Sequence, residues 1–182
     1  MKSRLMGIAL LSALAAPAFA ANPYYFGLDV GTTSLSNADP FPNPGNVRFS
    51  FGSQLNEQFA LEIGYTIFGD SVVDYGGGSK LTASGSSFQF AGVGSLPINE
   101  RISAYGKLGM ASNSLDVKSE GPLFTGATVS ESKPDLYYGI GLQYKVNDRM
   151  SVRGEYTDYG DATSSSPDVG ATSFSIGMTY GF

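Results

Sequence analysis

The stretch Ser173-Phe174-Ser175-Ile176-Gly177-Met178-Thr179-Tyr180-Gly181-Phe182 decides the fold of this chain. Every second residue is large and apolar, and the residues between them are small or hydroxylated. The apolar members are Phe174, Ile176, Met178, Tyr180 and Phe182. A period of two is the period of a β-strand, so the stretch predicts a strand with one bulky face and one slim polar face. A final aromatic strand of this kind favours a barrel that closes in lipid over a soluble sheet.

The first twenty residues have the pattern of a secretory signal peptide. A basic start precedes a short apolar run, and Ala18 and Ala20 form the small-residue exit. The run is shorter than the roughly 20 residues of a spanning helix, which disfavours the alternative of an N-terminal membrane anchor. We therefore expect cleavage between Ala20 and Ala21 and a mature domain over residues 21–182.

The composition limits the chemistry and the partners of the chain. The formal net charge of −5 becomes more negative once the basic signal residues are removed, so we expect no nucleic-acid partner. The chain has no His and no Cys, which removes the usual nucleophilic and zinc sites. We therefore expect no enzyme, no metal site and no cofactor. The mature part also lacks an apolar run long enough for a helical span, so it could enter a membrane only as a closed barrel.

Alternating segments recur along the mature chain, separated by connections of two lengths. The segments begin near Tyr24, Val47, Phe59, Ser86, Arg101, Leu136, Met150 and Ser173. Short turns at 55–58, 97–100 and 146–149 alternate with long connections at 34–46, 69–85, 113–135 and 160–169. An even number of strands with short turns at one end and long loops at the other is typical of outer-membrane barrels. A soluble sandwich also has many short strands, but nothing in its architecture sorts connections by length.

These patterns predict an all-β fold. It is an eight-stranded antiparallel up-and-down transmembrane β-barrel with short periplasmic turns and long extracellular loops. The bulky face should point outward to lipid, because Gly, Ser, Thr and Ala can fill the narrow interior of such a barrel. A soluble ligand-binding barrel would turn the slim face to water, and a chain with 15% charged residues would then be poorly soluble.

Four segments of the chain resemble the OmpA-type family of eight-stranded outer-membrane barrels, which includes OmpX-like and opacity-type proteins. They are residues 59–65, 105–109, 144–156 and 180–182. The resemblance implies export to the outer membrane, contact with its lipid and lipopolysaccharide, and a possible extracellular surface partner. It also implies that the outer-membrane assembly machinery reads the final aromatic strand. Larger members add a peptidoglycan-binding domain, which we do not expect here because the pattern ends with the barrel.

The resemblance further implies a cluster of charges inside the barrel. Glu62 matches a central glutamate of the family, and Arg153 and Glu155 match an arginine–glutamate pair on the seventh strand. Lys107 stands where the fifth strand usually has an inward arginine, and Gln143 replaces an inward acid. Strand period alone also places the four charged residues opposite the bulky face. On the lipid face a basic residue at mid-bilayer would cost about 2–4 kcal/mol, whereas inside the charges can neutralise one another.

Two functions from different classes follow from this interpretation. The first is a structural or surface-interaction role, with loops facing outside and a lumen filled by polar side chains. The second is a narrow porin-like channel for ions or small solutes. An ion-pair exchange that would open the lumen is disfavoured, because Val93 stands where family barrels carry the lysine that exchanges partners.

Overall fold

The structure, a computed structural model, describes residues 23–36, 42–121, 128–161 and 170–182. The predicted signal peptide, with Ala18, Ala20 and Ala21, lies outside the described residues. The strands are β1 (Tyr24–Leu35), β2 (Gly45–Gln54), β3 (Phe59–Gly76), β4 (Ser79–Pro97), β5 (Ile102–Glu120), β6 (Thr128–Lys145), β7 (Met150–Asp161) and β8 (Gly170–Gly181). Each strand pairs with the next in chain order, and β8 pairs with β1 to close the barrel. The predicted fold class is confirmed. Within the described ranges, no helix has the length and apolar character to cross a membrane.

The seam between β1 and β8 uses the segment that predicted the fold. Phe26 lies opposite Tyr180, and Leu28 lies opposite Met178. All pairs along the seam are antiparallel. The terminal strand therefore completes the hydrogen-bonded cylinder and leaves no open sheet edge along the seam, which is the condition for a sheet in hydrocarbon.

The bulky residues of the strands point outward. Ile176 is 57% exposed and Met178 is 45% exposed, whereas the intervening Thr179 and Ser175 are buried. The same alternation occurs on β3, where Ile63 is exposed and Glu62 is buried. A protein whose large apolar side chains cover its outside needs an apolar solvent, so this surface is the one that faces lipid.

The three short turns share one local geometry. In each turn an asparagine side-chain oxygen accepts the backbone N–H groups two and three residues later, at 2.8–2.9 Å. The asparagines are Asn56, Asn99 and Asn147. Such side-chain contacts satisfy backbone donors that the end of the sheet would leave unpaired, and they are the reason Asn is favoured in turns.

The prediction of long loops at 69–85 and 113–135 is wrong for most of their length. Most of 69–85 is a continuation of β3 and β4 around a turn at residues 77–78, and strand structure also covers 113–120 and 128–135. Gly76, Gly77 and Gly78 have φ values of 77°, 63° and 81°, a region that suits glycine and allows the tight reversal.

These extensions were missed because the polarity of the two faces inverts along the strands. Leu81 alternates with Lys80 and Thr82 and lies on the same face as the buried Ser79 and Ala83. On the neighbouring strand, apolar residues again take the inner face, since Val117 lies opposite Ala83. On β4 and β5 the outer face is polar there, with Lys80 and Lys118 exposed, as expected where the sheet leaves lipid and enters water. On β3, Val72 and Tyr75 remain exposed.

The extensions make the extracellular end asymmetric. β4 and β5 have 19 residues each, whereas β1 and β8 have 12. A strand crosses a bilayer in about 9–11 residues, so about eight residues of β3 to β6 remain outside. Eight residues at about 3.3 Å each span about 26 Å along a strand, so at a tilt of about 35–45° the four strands form a sheet that projects roughly 20 Å.

Candidate functional site

Six charged side chains meet inside the barrel. They are Asp29 on β1, Arg48 on β2, Glu62 on β3, Lys107 on β5, and Arg153 and Glu155 on β7. Each is at most 4% exposed. Strand alternation directs all six side chains inward, because each lies on the slim face of its strand, opposite the bulky residues that face lipid. Three acids and three bases give the group no net charge.

The six side chains form a closed ring in which acid and base alternate. The nitrogen–oxygen contacts are Asp29–Arg48 at 3.1 Å, Arg48–Glu155 at 2.5 Å, Glu155–Lys107 at 2.8 Å, Lys107–Glu62 at 2.5 Å, Glu62–Arg153 at 3.2 Å and Arg153–Asp29 at 2.6 Å. We call this group the charged ring. Every member has an oppositely charged neighbour on both sides, so none is buried as an isolated charge.

Two tyrosine hydroxyl groups donate hydrogen bonds to carboxylates of the charged ring, and a guanidinium group of the ring binds the third carboxylate with two nitrogens. Tyr25 donates its hydroxyl proton to Glu62 at 2.9 Å, and Tyr105 donates to Glu155 at 2.7 Å. Arg153 binds Asp29 with two nitrogens, at 2.7 and 2.6 Å. Bidentate and charge-assisted bonds of this type fix side-chain positions more tightly than neutral ones.

The structure brings together four of the five residues that the sequence placed in the lumen cluster. Glu62, Lys107, Arg153 and Glu155 all belong to the charged ring. Gln143 does not: it is half-buried and lines a cavity at the periplasmic end.

The sequence interpretation missed Asp29 and Arg48. Both lie on the slim face of their strands, and they are cross-strand partners in the register of β1 and β2. The same rule that selected Glu62 would have selected them: a charge that alternates with Leu28 and Val30, or with Val47 and Phe49, must point away from lipid.

Different surroundings lie on the two sides of the charged ring. Toward the outside, Tyr137 and Tyr159 pack with ring centroids 5.6 Å apart, and Phe68 meets Tyr159 edge-on at 5.4 Å. Toward the periplasm lies a cavity of about 430 Å³, which extends from the three short turns to Lys107 and Arg153. This cavity therefore ends at the charged ring.

The family of the chain follows from a comparison of sequences. The outer membrane protein beta-barrel domain family matches residues 6–182. The chain belongs to this family. Membership of this family places the protein in the outer membrane, in agreement with its lipid-facing surface. No curated protein matches the chain by sequence.

Solved outer-membrane barrels share the fold. Ail of Yersinia pestis, in complex with the heparin analogue sucrose octasulfate, has a TM-score of 0.63 at 20% identity, covering 87% of this chain and 97% of Ail. Neisserial surface protein A has a TM-score of 0.63 at 16% identity, covering 88% and 97%. OprG of Pseudomonas aeruginosa has a TM-score of 0.52 at 12% identity, again covering 88% and 97%. At these identities the likeness concerns the fold alone.

Phe182, the last of the proposed assembly residues, lies at the periplasmic rim of this outer-membrane barrel. Phe182 donates its backbone N–H to the carbonyl of Tyr24 at 3.0 Å, and its ring lies 6.3 Å from those of Tyr24 and Phe51. The other residues of the set point outward from β8: Phe174, Ile176, Met178 and Tyr180. Within the described ranges, no group of three or more acids could hold a metal ion.

Proposed function

We propose that this outer-membrane barrel has a structural and surface-interaction role and that its lumen is closed to solutes. The charged ring carries this proposal. It takes side chains from five of the eight strands and links them by contacts of 2.5–3.2 Å across the lumen. To open it, two or more of these buried ion pairs must separate.

The cost of opening supports a closed state. Removing one partner from a buried ion pair costs about 3–5 kcal/mol, because the other charge is left buried and unpaired. If two ion pairs of the ring separate and no water replaces the lost contacts, each unpaired charge carries a free-energy cost of similar size. Thermal motion would therefore populate an open lumen in far fewer than one molecule in a hundred.

The projecting sheet supports a role at the cell surface. It stands on a membrane-anchored barrel and so presents a rigid surface. Its described residues and the adjoining end of β7 carry seven carboxylates: Asp70, Asp74, Asp116, Glu120, Asp135, Asp158 and Asp161. Three lysines accompany them: Lys80, Lys118 and Lys133. Ail was crystallised with a heparin analogue, sucrose octasulfate. The acidic surface here favours a cationic extracellular partner instead.

Two finer parts of the proposal rest on the sequence. The lack of His and Cys supports a non-enzymatic role. The aromatic period of β8, with Phe182 at its end, supports recognition by the outer-membrane assembly machinery. Residues 1–20 remain the proposed signal peptide.

A narrow channel is the second candidate, and the periplasmic cavity of about 430 Å³ is the observation that favours it. Conductance in planar lipid bilayers separates the two functions. We expect purified protein to be silent, and a double variant that removes both the charge and the volume of one arc of the ring, Glu62→Ala with Lys107→Ala, to conduct. Lys133→Met is the matched control, since Lys133 lies outside the ring and should leave the bilayer silent. Steady single-channel currents from the unmodified protein would overturn the closed-lumen proposal.

A further inference from the structure

The mouth of the periplasmic cavity has a basic side. Arg101, Lys145 and Arg149 line the cavity there. Arg101 precedes β5, Lys145 ends β6 and Arg149 precedes β7. The backbone N–H of Lys145 donates to the carbonyl of Arg101 at 2.7 Å. The turn that carries Arg149 is closed by a bond of 2.9 Å from the N–H of Val146 to the carbonyl of Met150. Three bases therefore stand side by side on three consecutive strands.

Two of these three bases have no carboxylate partner among the described residues. Arg101 and Arg149 form no ion pair there, and the guanidinium of Arg101 contacts only the hydroxyl of Tyr144, at 3.4 Å. Lys145 contacts Asp148 at 3.0 Å, but the side chain of Asp148 is 96% exposed. Exposed ion pairs contribute little, so a ligand can replace Asp148 at small cost.

The other two carboxylates of the mouth belong to the other turns. Glu57 lies between β2 and β3, on the side of the eight-stranded barrel opposite the turn between β6 and β7. Glu100 lies beside Arg101 in the turn between β4 and β5, and it is exposed. The charged ring at the floor of the cavity is neutral and does not offset the bases. The basic side therefore keeps a net positive charge.

Neutral polar side chains line the cavity between the bases and the charged ring. On the basic side they are Ser103 on β5, Gln143 on β6 and Ser151 on β7, each half-buried. Hydroxyl and amide groups both donate and accept hydrogen bonds. The cavity volume of about 430 Å³ falls within the range of about 300–1,000 Å³ that is usual for small-molecule sites. The walls therefore suit a ligand that carries hydroxyl groups.

The donor set at the mouth selects a phosphate group. Guanidinium and ammonium groups donate hydrogen bonds and accept none, so the group that they bind must be an acceptor. A carboxylate offers two oxygens and one charge, whereas a phosphate offers more oxygens and up to two charges. The fork of an arginine also matches two phosphate oxygens at once. Two arginines and a lysine together fit phosphate best.

We propose that the periplasmic cavity is a binding site for a phosphate ester. Arg101, Lys145 and Arg149 hold the phosphate at the mouth, and the hydroxylated part of the ligand lies against Ser103, Gln143 and Ser151. The charged ring is the floor of the site. Two sources supply this chemistry: a soluble phosphate ester of the periplasm, or the headgroup of a phospholipid in the inner leaflet, which surrounds the mouth at the level of Tyr144. The site does not depend on the proposed surface role.

Titration with sn-glycerol 3-phosphate tests the site. The labelled full chain is held in a polyoxyethylene detergent, which carries no phosphate, and NMR follows the Nε–H signals of Arg101 and Arg149. We expect saturable shifts of both signals. Glycerol at the same concentrations is the matched ligand control and should shift neither. Absence of shifts with glycerol 3-phosphate, or equal shifts with glycerol, would overturn the proposal.

A double variant tests which residues form the site. Arg101→Gln with Arg149→Gln should raise the dissociation constant for glycerol 3-phosphate at least about tenfold, because two charge-assisted hydrogen bonds are lost. The backbone amide signals of Ser103 and Ser151 measure this binding. The matched control is Lys80→Gln with Lys118→Gln, which removes two exposed bases of the extracellular sheet and should leave the constant unchanged. Both positions of the test variant are exposed, and heat-shifted mobility in SDS gels shows that each variant is folded. Unchanged affinity in the test variant would contradict the site.

A short-chain phospholipid identifies the source of the phosphate. Dihexanoylphosphatidylglycerol is added below the concentration at which it forms micelles, with dihexanoylglycerol as the control that lacks phosphate. Tighter binding of the phospholipid than of glycerol 3-phosphate identifies the headgroup as the ligand, and the reverse order identifies a soluble ester. Equal shifts with dihexanoylglycerol would show that the acyl chains are recognised, which would refute a phosphate site.

Discussion

Replacing Lys107 by Met should destabilise the barrel strongly, because it breaks the charged ring at one point. Lys107 is 3% exposed and contacts Glu62 at 2.5 Å and Glu155 at 2.8 Å. Met has a similar length, so the loss of packing is small. The variant leaves the ring with one uncompensated negative charge in a region without bulk water. Removing one partner of a buried ion pair costs about 3–5 kcal/mol.

The remaining contacts of the two carboxylates keep the expected loss of unfolding free energy near the lower end of this range. Glu62 keeps Arg153 and Tyr25, and Glu155 keeps Arg48 and Tyr105. Both carboxylates therefore retain a charge-assisted partner, and we expect a loss near 3 kcal/mol, at the lower end of that range. Lys107→Met combined with Glu62→Gln restores neutrality and should recover part of the loss. This recovery distinguishes the effect of charge from the effect of shape.

Equilibrium urea unfolding in lipid vesicles, followed by tyrosine fluorescence, measures the free energy of unfolding. The control is Lys133→Met, whose side chain is 25% exposed and contacts Asp161 at 3.4 Å. Partly exposed pairs contribute about 0–1 kcal/mol, so this variant should change little. If Lys107→Met were as mild as Lys133→Met, the charged ring would not contribute as argued. A double variant less stable than Lys107→Met would also refute the argument.

Three further predictions concern other parts of the molecule. Unheated protein should migrate differently from boiled protein in SDS gel electrophoresis, because a closed lipid-facing barrel stays folded until heated; identical mobility would contradict the fold. Deletion of Phe182 should reduce assembly into the outer membrane in cells far more than Phe182→Tyr, measured by membrane fractionation, and normal insertion of the deletion would refute the proposed signal. Asn99→Ala should lower the free energy of unfolding by about 0.5–2 kcal/mol, by analogy with the loss of a helix cap, through two unpaired backbone donors; Asn99→Asp, which keeps the acceptor, should lose less.

The sequence predicted the part of each strand that lies in lipid. Period two remained readable wherever bulky residues faced outward, as in Ile63 beside Glu62. Two of the three short turns were bounded correctly, and the turn predicted at 97–100 lies at 98–101. The projecting parts of β3 to β6 were missed because the apolar side chains there change sides, as Leu81 does, and because Ser and Thr weaken the contrast. An inversion of polarity within a strand removes the continuous alternation on which the prediction depended.

The charged ring was predicted only in part, for a different reason. Alternation states that Glu62 and Arg153 both point inward, but it does not state the height of each residue in the barrel. Height depends on strand register and shear, which bring the carboxylate of Asp29 to 2.6 Å from the guanidinium of Arg153 and leave Gln143 at the cavity near the periplasmic end. Register of this kind is a property of the closed sheet and not of any single strand.

The inversion of polarity on β4 also fixes how deep the barrel sits in the membrane. Phe88 and Phe90 face outward below it, and Lys80 faces outward above it. A shift of two residues toward the periplasm would bring hydroxyl and charged side chains into hydrocarbon, and the opposite shift would expose aromatic rings to water. Either displacement carries a cost of the kind seen in hydrophobic mismatch. The extracellular sheet is therefore held at a set height above the lipid, which defines how close another surface must come to touch it.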